Sequence, residues 1–269
     1  MAVGPYSWRE RGNRDRLHQI IQGNYDLKLG AILQQAWSLA IRAIHPILPA
    51  AALVLLVSVV ISAMLLPLFN VGGGELGDFT TGAEGFAALA EDPGFQRYSL
   101  AIQILMAPLL GGVVLMGIMR AQGETVKVLH VFSALQRAPA LLGLTALMMA
   151  VQLLVTMVFG QLLWLASLIN IGISIFTLAS LPLLLTHKIS VLNAIYYSAL
   201  IVKQRVGVFA GLFLIAMIAL MFGLLTSMIG FIIVIPFISL LYGVTYTHIF
   251  GLSKPQAPEV VERPNDWSA

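Results

Sequence analysis

The chain has 269 residues, of which 59% are hydrophobic and only 10% charged, with 15 Lys and Arg against 12 Asp and Glu. Soluble domains carry roughly a quarter charged residues, so a mean hydropathy of +0.91 excludes one and points to an integral membrane protein. The net charge of +3 does not imply nucleic acid, because the cations are spread over segments flanking apolar runs; the lack of cysteine excludes disulfides, thiolate metal sites and a cysteine nucleophile.

Residues 1–24 are polar, with Arg9, Arg11, Arg14 and Arg16 against Glu10 and Asp15. Without an apolar core and small-residue cleavage site they make no signal peptide. The expectation is a basic cytoplasmic arm that sets topology or touches anionic headgroups. From 29 to 45 the period turns helical: Gln34, Gln35, Ser38, Arg42 and His45 make a polar stripe, and Ile32, Leu33, Ala36, Trp37, Ala40, Ile41 and Ile44 fill the other side. That is an amphipathic helix in the interface plane, with Trp37 at headgroup level. Pro46 opens the first crossing, at about 47–66. The loop 67–98 holds Glu75, Asp78, Glu84, Glu91 and Asp92 against Arg97. Its string GGGELG formally matches the dinucleotide fingerprint but follows a membrane helix, not a strand.

A second crossing, 100–119, ends at Arg120. Residues 126–138 are again amphipathic, with Lys127, His130, Ser133, Gln136 and Arg137 along one face, and Pro139 opens the crossings 141–159 and 167–186. A third amphipathic segment, 189–204, carries Ser190, Asn193, Tyr197 and Gln204 on its polar side and precedes the crossings 206–226 and 229–250. No Asp, Glu, Lys or Arg lies between Arg137 and Lys188, or between Arg205 and Lys254. Each run is about twice the ~20 residues of one crossing, hence a two-helix hairpin. The proline-rich tail after Lys254 is expected to be disordered.

The expected fold is an all-α membrane protein: six transmembrane helices as three hairpins, each preceded by a cytoplasmic amphipathic interfacial helix, in a pseudo-threefold repeat. Units of about 28–120, 125–187 and 188–253 make one membrane domain, 25–253, between the arm 1–24 and the tail 254–269. An aromatic–serine pair followed by a cation recurs as Trp37-Ser38 with Arg42, Phe132-Ser133 with Arg137, and Tyr197-Ser198 with Lys203. Pro108, Pro182 and Pro236 recur in the second crossing of each unit. Every Lys and Arg except Arg97 falls on the side of the arm, the amphipathic segments and the tail, so that side is expected to be cytoplasmic and the loop 67–98 external.

The predicted crossings contain no charged residue, which disfavours a carrier of charged solutes. Candidate lipid or partner contacts are Trp37, Arg42, Phe132, Arg137, Tyr197 and Lys203, the aromatic and basic positions of the amphipathic segments. Candidates for a helix break or cavity are Pro108, Gln152, Asn170, Pro182 and Pro236, with Ser180 beside them; the alternative use of the polar groups is hydrogen bonding between helices. Gly207 and Gly211 offer a small-residue packing face, and Gly111 and Gly112 do so beside Pro108. His45, His130, His187 and His248 fall at cytoplasmic helix ends without the acidic partners of a metal site. No HExxH, GxSxG, P-loop or paired-carboxylate pattern occurs, so no catalytic, cofactor or metal residue is assigned.

The segments LGAILQQAWSLAIRAIHP, ISVLNAIYYSALIVKQRVG and GFIIVIPFISLLYGVTYTHIFG resemble, over about residues 25–252, uncharacterised bacterial YciC-like proteins and relatives labelled glycerophosphoryl diester phosphodiesterase membrane domains. The resemblance implies a six-helix protein of the bacterial inner membrane. Catalysis, where relatives have it, belongs to a separate soluble domain, and no functional residue carries over. The expected function is non-enzymatic binding of phospholipid, or of a membrane partner or second copy, through the amphipathic collar. The alternative is a permease or channel for a neutral or apolar solute.

Overall fold

The computed structural model describes residues 20, 25, 27–43, 45, 47–69, 92–187, 189–226 and 230–250. The basic arm apart from Ile20, the loop residues 70–91 with GGGELG, and the tail lie outside them. Every regular element among the described residues is helical. α1 is Leu29–Ala43, α2 Ile47–Leu65 with a 3-10 turn at Leu66–Phe69, and α3 Pro93–Ala121. A 3-10 segment, Val128–Arg137, leads into α4, Ala138–Phe159; α5 is Leu163–Phe176, α6 Ser180–Thr186, α7 Val191–Gln204, α8 Val206–Leu225 and α9 Phe231–Phe250.

Among the described residues six spans are long and apolar enough to cross a membrane: Ile47–Phe69, Pro93–Ala121, Val128–Phe159, Leu163–Thr186, Val206–Leu225 and Phe231–Phe250. The chain is thus built as a multi-pass membrane protein, with the six crossings expected from hydropathy. The second starts earlier than expected because Asp92 caps it. Its carboxylate accepts from the backbone N–H groups of Gly94 (3.0 Å) and Phe95 (3.3 Å), and Pro93 occupies the first turn, where no N–H is needed. The fourth crossing is not one helix: α5 ends at Phe176, a turn occupies 177–179, and α6 resumes at Ser180.

Burial is uneven. In the second, fourth and sixth crossings 56%, 33% and 61% of the apolar stretch is buried inside the protein, against 6%, 17% and 17% in the first, third and fifth. The second and sixth crossings are therefore interior and the odd ones peripheral, while the fourth is divided: α5 buries Ala166 alone, whereas α6 buries Ser180 and Pro182 to Leu185. Buried positions of α2 (Ile47, Ala50, Ala51, Val54) and α4 (Leu141, Leu144, Met149) crowd toward their N-termini, whereas those of α3 and α9 run on to Ala121 and Phe250. The densest core therefore occupies one end of the bundle. Against it lie α1 on α9, the 3-10 segment on α3, and α7 on α6.

Lipid tails are as apolar as leucine, so helices in a bilayer associate through close packing rather than through removal of apolar surface from water. The innermost contact obeys that rule. α3 and α9 touch backbone to backbone: a methyl group added at Gly117 would overlap the Ser239 carbonyl, and one added at Gly243 would overlap the Gly117 carbonyl. Gly112 likewise lies against the Val131 backbone of the 3-10 segment, and Gly111 against the Leu141 side chain. Of the pair expected in the fifth crossing, Gly211 packs on Leu29 of α1, while Gly207 has nothing within 4 Å, so the two do not form a shared packing face.

Candidate functional site: the surface segments and the broken crossing

α1 divides its surface in three. Ile32 and Ala36, one turn apart, are fully buried. Gln35 Oε1 lies 2.7 Å from His248 Nε2, fastening the helix to the end of α9. Trp37 (61% exposed) and Ile41 (66%) form an outward apolar row beside exposed Arg42. Trp37 also meets Phe237 of α9 edge to face, with ring centroids 6.1 Å apart.

The 3-10 segment corrects a detail of the expected amphipathic helix. With three residues per turn, side chains at i and i+3 line up in straight rows. Val131 and Ala134 form a buried row, Leu129, Phe132 and Leu135 an exposed apolar row, and His130, Ser133 and Gln136 a polar row. In this register Arg137 leaves the polar row and joins the buried one. Its guanidinium donates to the carbonyl oxygens of Leu184 (2.6 Å) and His187, at the C-terminal end of α6. A cation there complements the partial negative charge of the last carbonyls. Of the six expected surface contacts, Arg137 is thus committed to holding α6.

α7 starts at Ser190, whose hydroxyl accepts from the Asn193 N–H at 3.4 Å. Ala194, Ser198, Ile201 and Val202 make its buried face; Leu192 (70% exposed) and Tyr196 (60%) project outward, with exposed Lys203 near its end. Tyr197 is half-buried and packs on the core. The Tyr25 hydroxyl donates to the Ile201 carbonyl at 2.7 Å, and burial pushes this phenol up to about 12, with Arg205 acting in the opposite sense.

His187 follows α6 directly. Its ring lies 5.1 Å from Phe250, and its Nε2 is 3.4 Å from the Tyr246 hydroxyl. Burial, reinforced by Arg137, lowers its pKa to about 4, so the imidazole is neutral near pH 7.

The turn at 177–179 separates backbone groups that a continuous helix would pair. Ser198 of α7 meets two of them: its Oγ donates to the Phe176 carbonyl at 2.7 Å and accepts from the Ala179 N–H at 3.1 Å. Pro182 falls in the first turn of α6, where its missing N–H is no loss. Pro108 and Pro236 instead sit buried inside the continuous helices α3 and α9. A small apolar cavity of about 30 Å³ adjoins the turn, lined by Leu178, Ala179, Pro182, Ile201, Phe209 and Tyr242 among others. Pro182 is the one expected cavity residue among those that line it.

Gln152 and Asn170 lie elsewhere, on α4 and α5 respectively. Asn170 Nδ2 reaches Thr156 Oγ1 at 3.4 Å, and the Thr156 hydroxyl donates to the Gln152 carbonyl. Asn170 Oδ1 is buried without a hydrogen-bond partner. Among the described residues no three His, Asp or Glu side chains converge as a metal site would require. The sequence marks Pro182 as a candidate break, Ser198 as part of a repeated motif and His187 as a helix-end histidine, but not the position of the turn at 177–179, the bridging role of Ser198 or the burial of His187. The hydroxyls of Ser174, Thr177 and Ser180 just ahead of Pro182 were the available signal, since such residues compete for helix carbonyls. No family model, curated protein or solved structure matches this chain.

Proposed function

We propose that this chain is a non-enzymatic, multi-pass protein of the bacterial inner membrane that binds phospholipid through three amphipathic segments at its cytoplasmic face. Each segment leads a two-helix hairpin, and the three units stand in an approximate threefold arrangement with both termini cytoplasmic. The observation that carries the reading is shared by all three. α1, the 3-10 segment and α7 each bury one face on the bundle and turn an apolar row outward: Trp37 with Ile41, Leu129 with Phe132 and Leu135, Leu192 with Tyr196. Exposed Arg42, Lys127 and Lys203 accompany those rows. In water such rows would be a liability; at the headgroup boundary they enter the acyl region while the cations face anionic headgroups. The greater burial of the second crossing than of the first in each successive pair supports the repeated unit.

Arg42→Glu with Lys203→Glu is the test, leaving Arg137 untouched because it holds α6. Each basic residue near an anionic surface contributes about 1 kcal/mol. Losing two should weaken retention of anionic phospholipid roughly thirtyfold, read by native mass spectrometry of gently extracted protein. Unchanged retention would sink the proposal. A stoichiometric protein or second copy in its place would make the segments a protein interface.

The broken fourth crossing favours one second reading, a permease for a neutral or apolar solute, because interrupted helices commonly form intramembrane sites. The backbone contact of α3 with α9 weighs against a path between those two helices. Flux in proteoliposomes that changes with Pro182→Ala, and not with Pro108→Ala, would favour this reading over lipid binding.

A further inference from the structure

α6 has an unusual attachment. It is a seven-residue helix joined to α5 by the turn 177–179, and side chains from other elements hold both its ends. At the near end, fully buried Ser198 bridges the Phe176 carbonyl and the Ala179 N–H. At the far end, Arg137 holds the Leu184 and His187 carbonyls. The corresponding serines of the other two segments do nothing comparable: Ser38 and Ser133 donate to carbonyls of their own helices, at Gln35 and His130. The cavity of about 30 Å³ lies at the same turn, against Pro182 and Ile201. A void of that size, roughly one methyl group or water, lets Pro182 move without compressing a close-packed interior.

We propose that α6 is a movable segment of the fourth crossing, hinged at 177–179 and latched by Ser198, so that displacement of α7 at the membrane surface is transmitted to the bundle interior. The transmission follows from the two faces of α7. Leu192 and Tyr196 project outward on one side, and Ser198 grips the turn on the other. A shift of α7 along or out of the lipid boundary pulls the hydroxyl from both backbone partners together. Those groups then lie in a low-dielectric interior without partners, where such a state is costly, and α6 relieves it by swinging about the turn, its far carbonyls leaving Arg137 as it moves. This step rests on the proposed seating of α7 in the membrane surface; the hinge itself does not.

The chain contains no cysteine, so spin-label pairs can be placed without background. One pair, Thr186→Cys with Gln122→Cys, reports α6 against α3; a reference pair, Gln122→Cys with Val206→Cys, reports α8 against α3. In nanodiscs the wild-type background should give a narrow distance for each. Ser198→Ala should add a second population, or a clear broadening, for the Thr186 pair alone. Adding anionic lipid should shift the Thr186 pair in the wild-type background and leave Ser198→Ala indifferent. A Thr186 distance that stays narrow in Ser198→Ala overturns the hinge, as does equal broadening of both pairs, which would mean general loosening. A Thr186 pair that responds to Ser198→Ala but not to lipid overturns the coupling. That outcome counts against the lipid-facing role of α7 and leaves the hinge standing.

Discussion

Gly117→Leu is expected to cost this protein about 3 kcal/mol or more, a large part of a typical total stability. The reason is the absence of any slack at the contact. A β-carbon at Gly117 meets the Ser239 carbonyl, which belongs to the α9 backbone and cannot rotate away as a side chain tip would. The two interior helices would have to separate, and with them Val113 and Met116 would leave their contacts around Leu240. Gly243→Leu should behave alike, because its β-carbon meets the Gly117 carbonyl from the other side. Having one contact in common, the two substitutions should combine less than additively. Gly172→Leu is the control: nothing lies within 4 Å of a β-carbon there, and leucine favours helix over glycine. Thermal unfolding in mild detergent decides the matter. Equal midpoints for Gly117→Leu and Gly172→Leu would refute the account of the α3–α9 contact.

Acidification is expected to destabilise the fold through His187, between about pH 6.5 and pH 4. Burial and Arg137 lower this pKa from the ordinary 6.5 to about 4. Above pH 6.5 the imidazole is neutral in both the folded and the unfolded chain, and no stability is lost. As pH falls below 6.5 the unfolded chain takes up a proton that the folded chain refuses, so folding becomes less favourable until about pH 4, where the folded form protonates too. The gap corresponds to about 3 kcal/mol at roughly 1.4 kcal/mol per pH unit.

His187→Phe keeps a ring against Phe250 and should flatten the pH profile across this window. Arg137→Gln should act twice. It removes two charge-assisted bonds to α6, lowering stability at pH 7 by about 2 kcal/mol. It also removes the cation beside His187, so the acid-induced loss should shrink. A His187→Phe profile as steep as the wild type would assign the pH dependence to another group.

Local composition alone determined the number and approximate placement of the crossings. An uninterrupted apolar stretch of sufficient length has few options but to span a bilayer as a helix, since only internal hydrogen bonding satisfies its backbone there. The amphipathic character of 29–45 and 189–204 was legible for the same reason, being written in residues one helical turn apart. What depends on neighbours distant in the chain was not legible. Gly117 and Gly207 are alike in sequence, yet one sits under another helix and the other faces open space. Arg137 resembled a surface cation until the 3-10 register rotated it toward the end of α6, 47 residues away. Ser198 resembled one of three repeated serines until the chain broke beside it at 177–179. Hydropathy is a property of a segment, whereas a close approach, a cap or a latch is a property of two. Tertiary packing alone decided which glycine, which arginine and which serine would carry them.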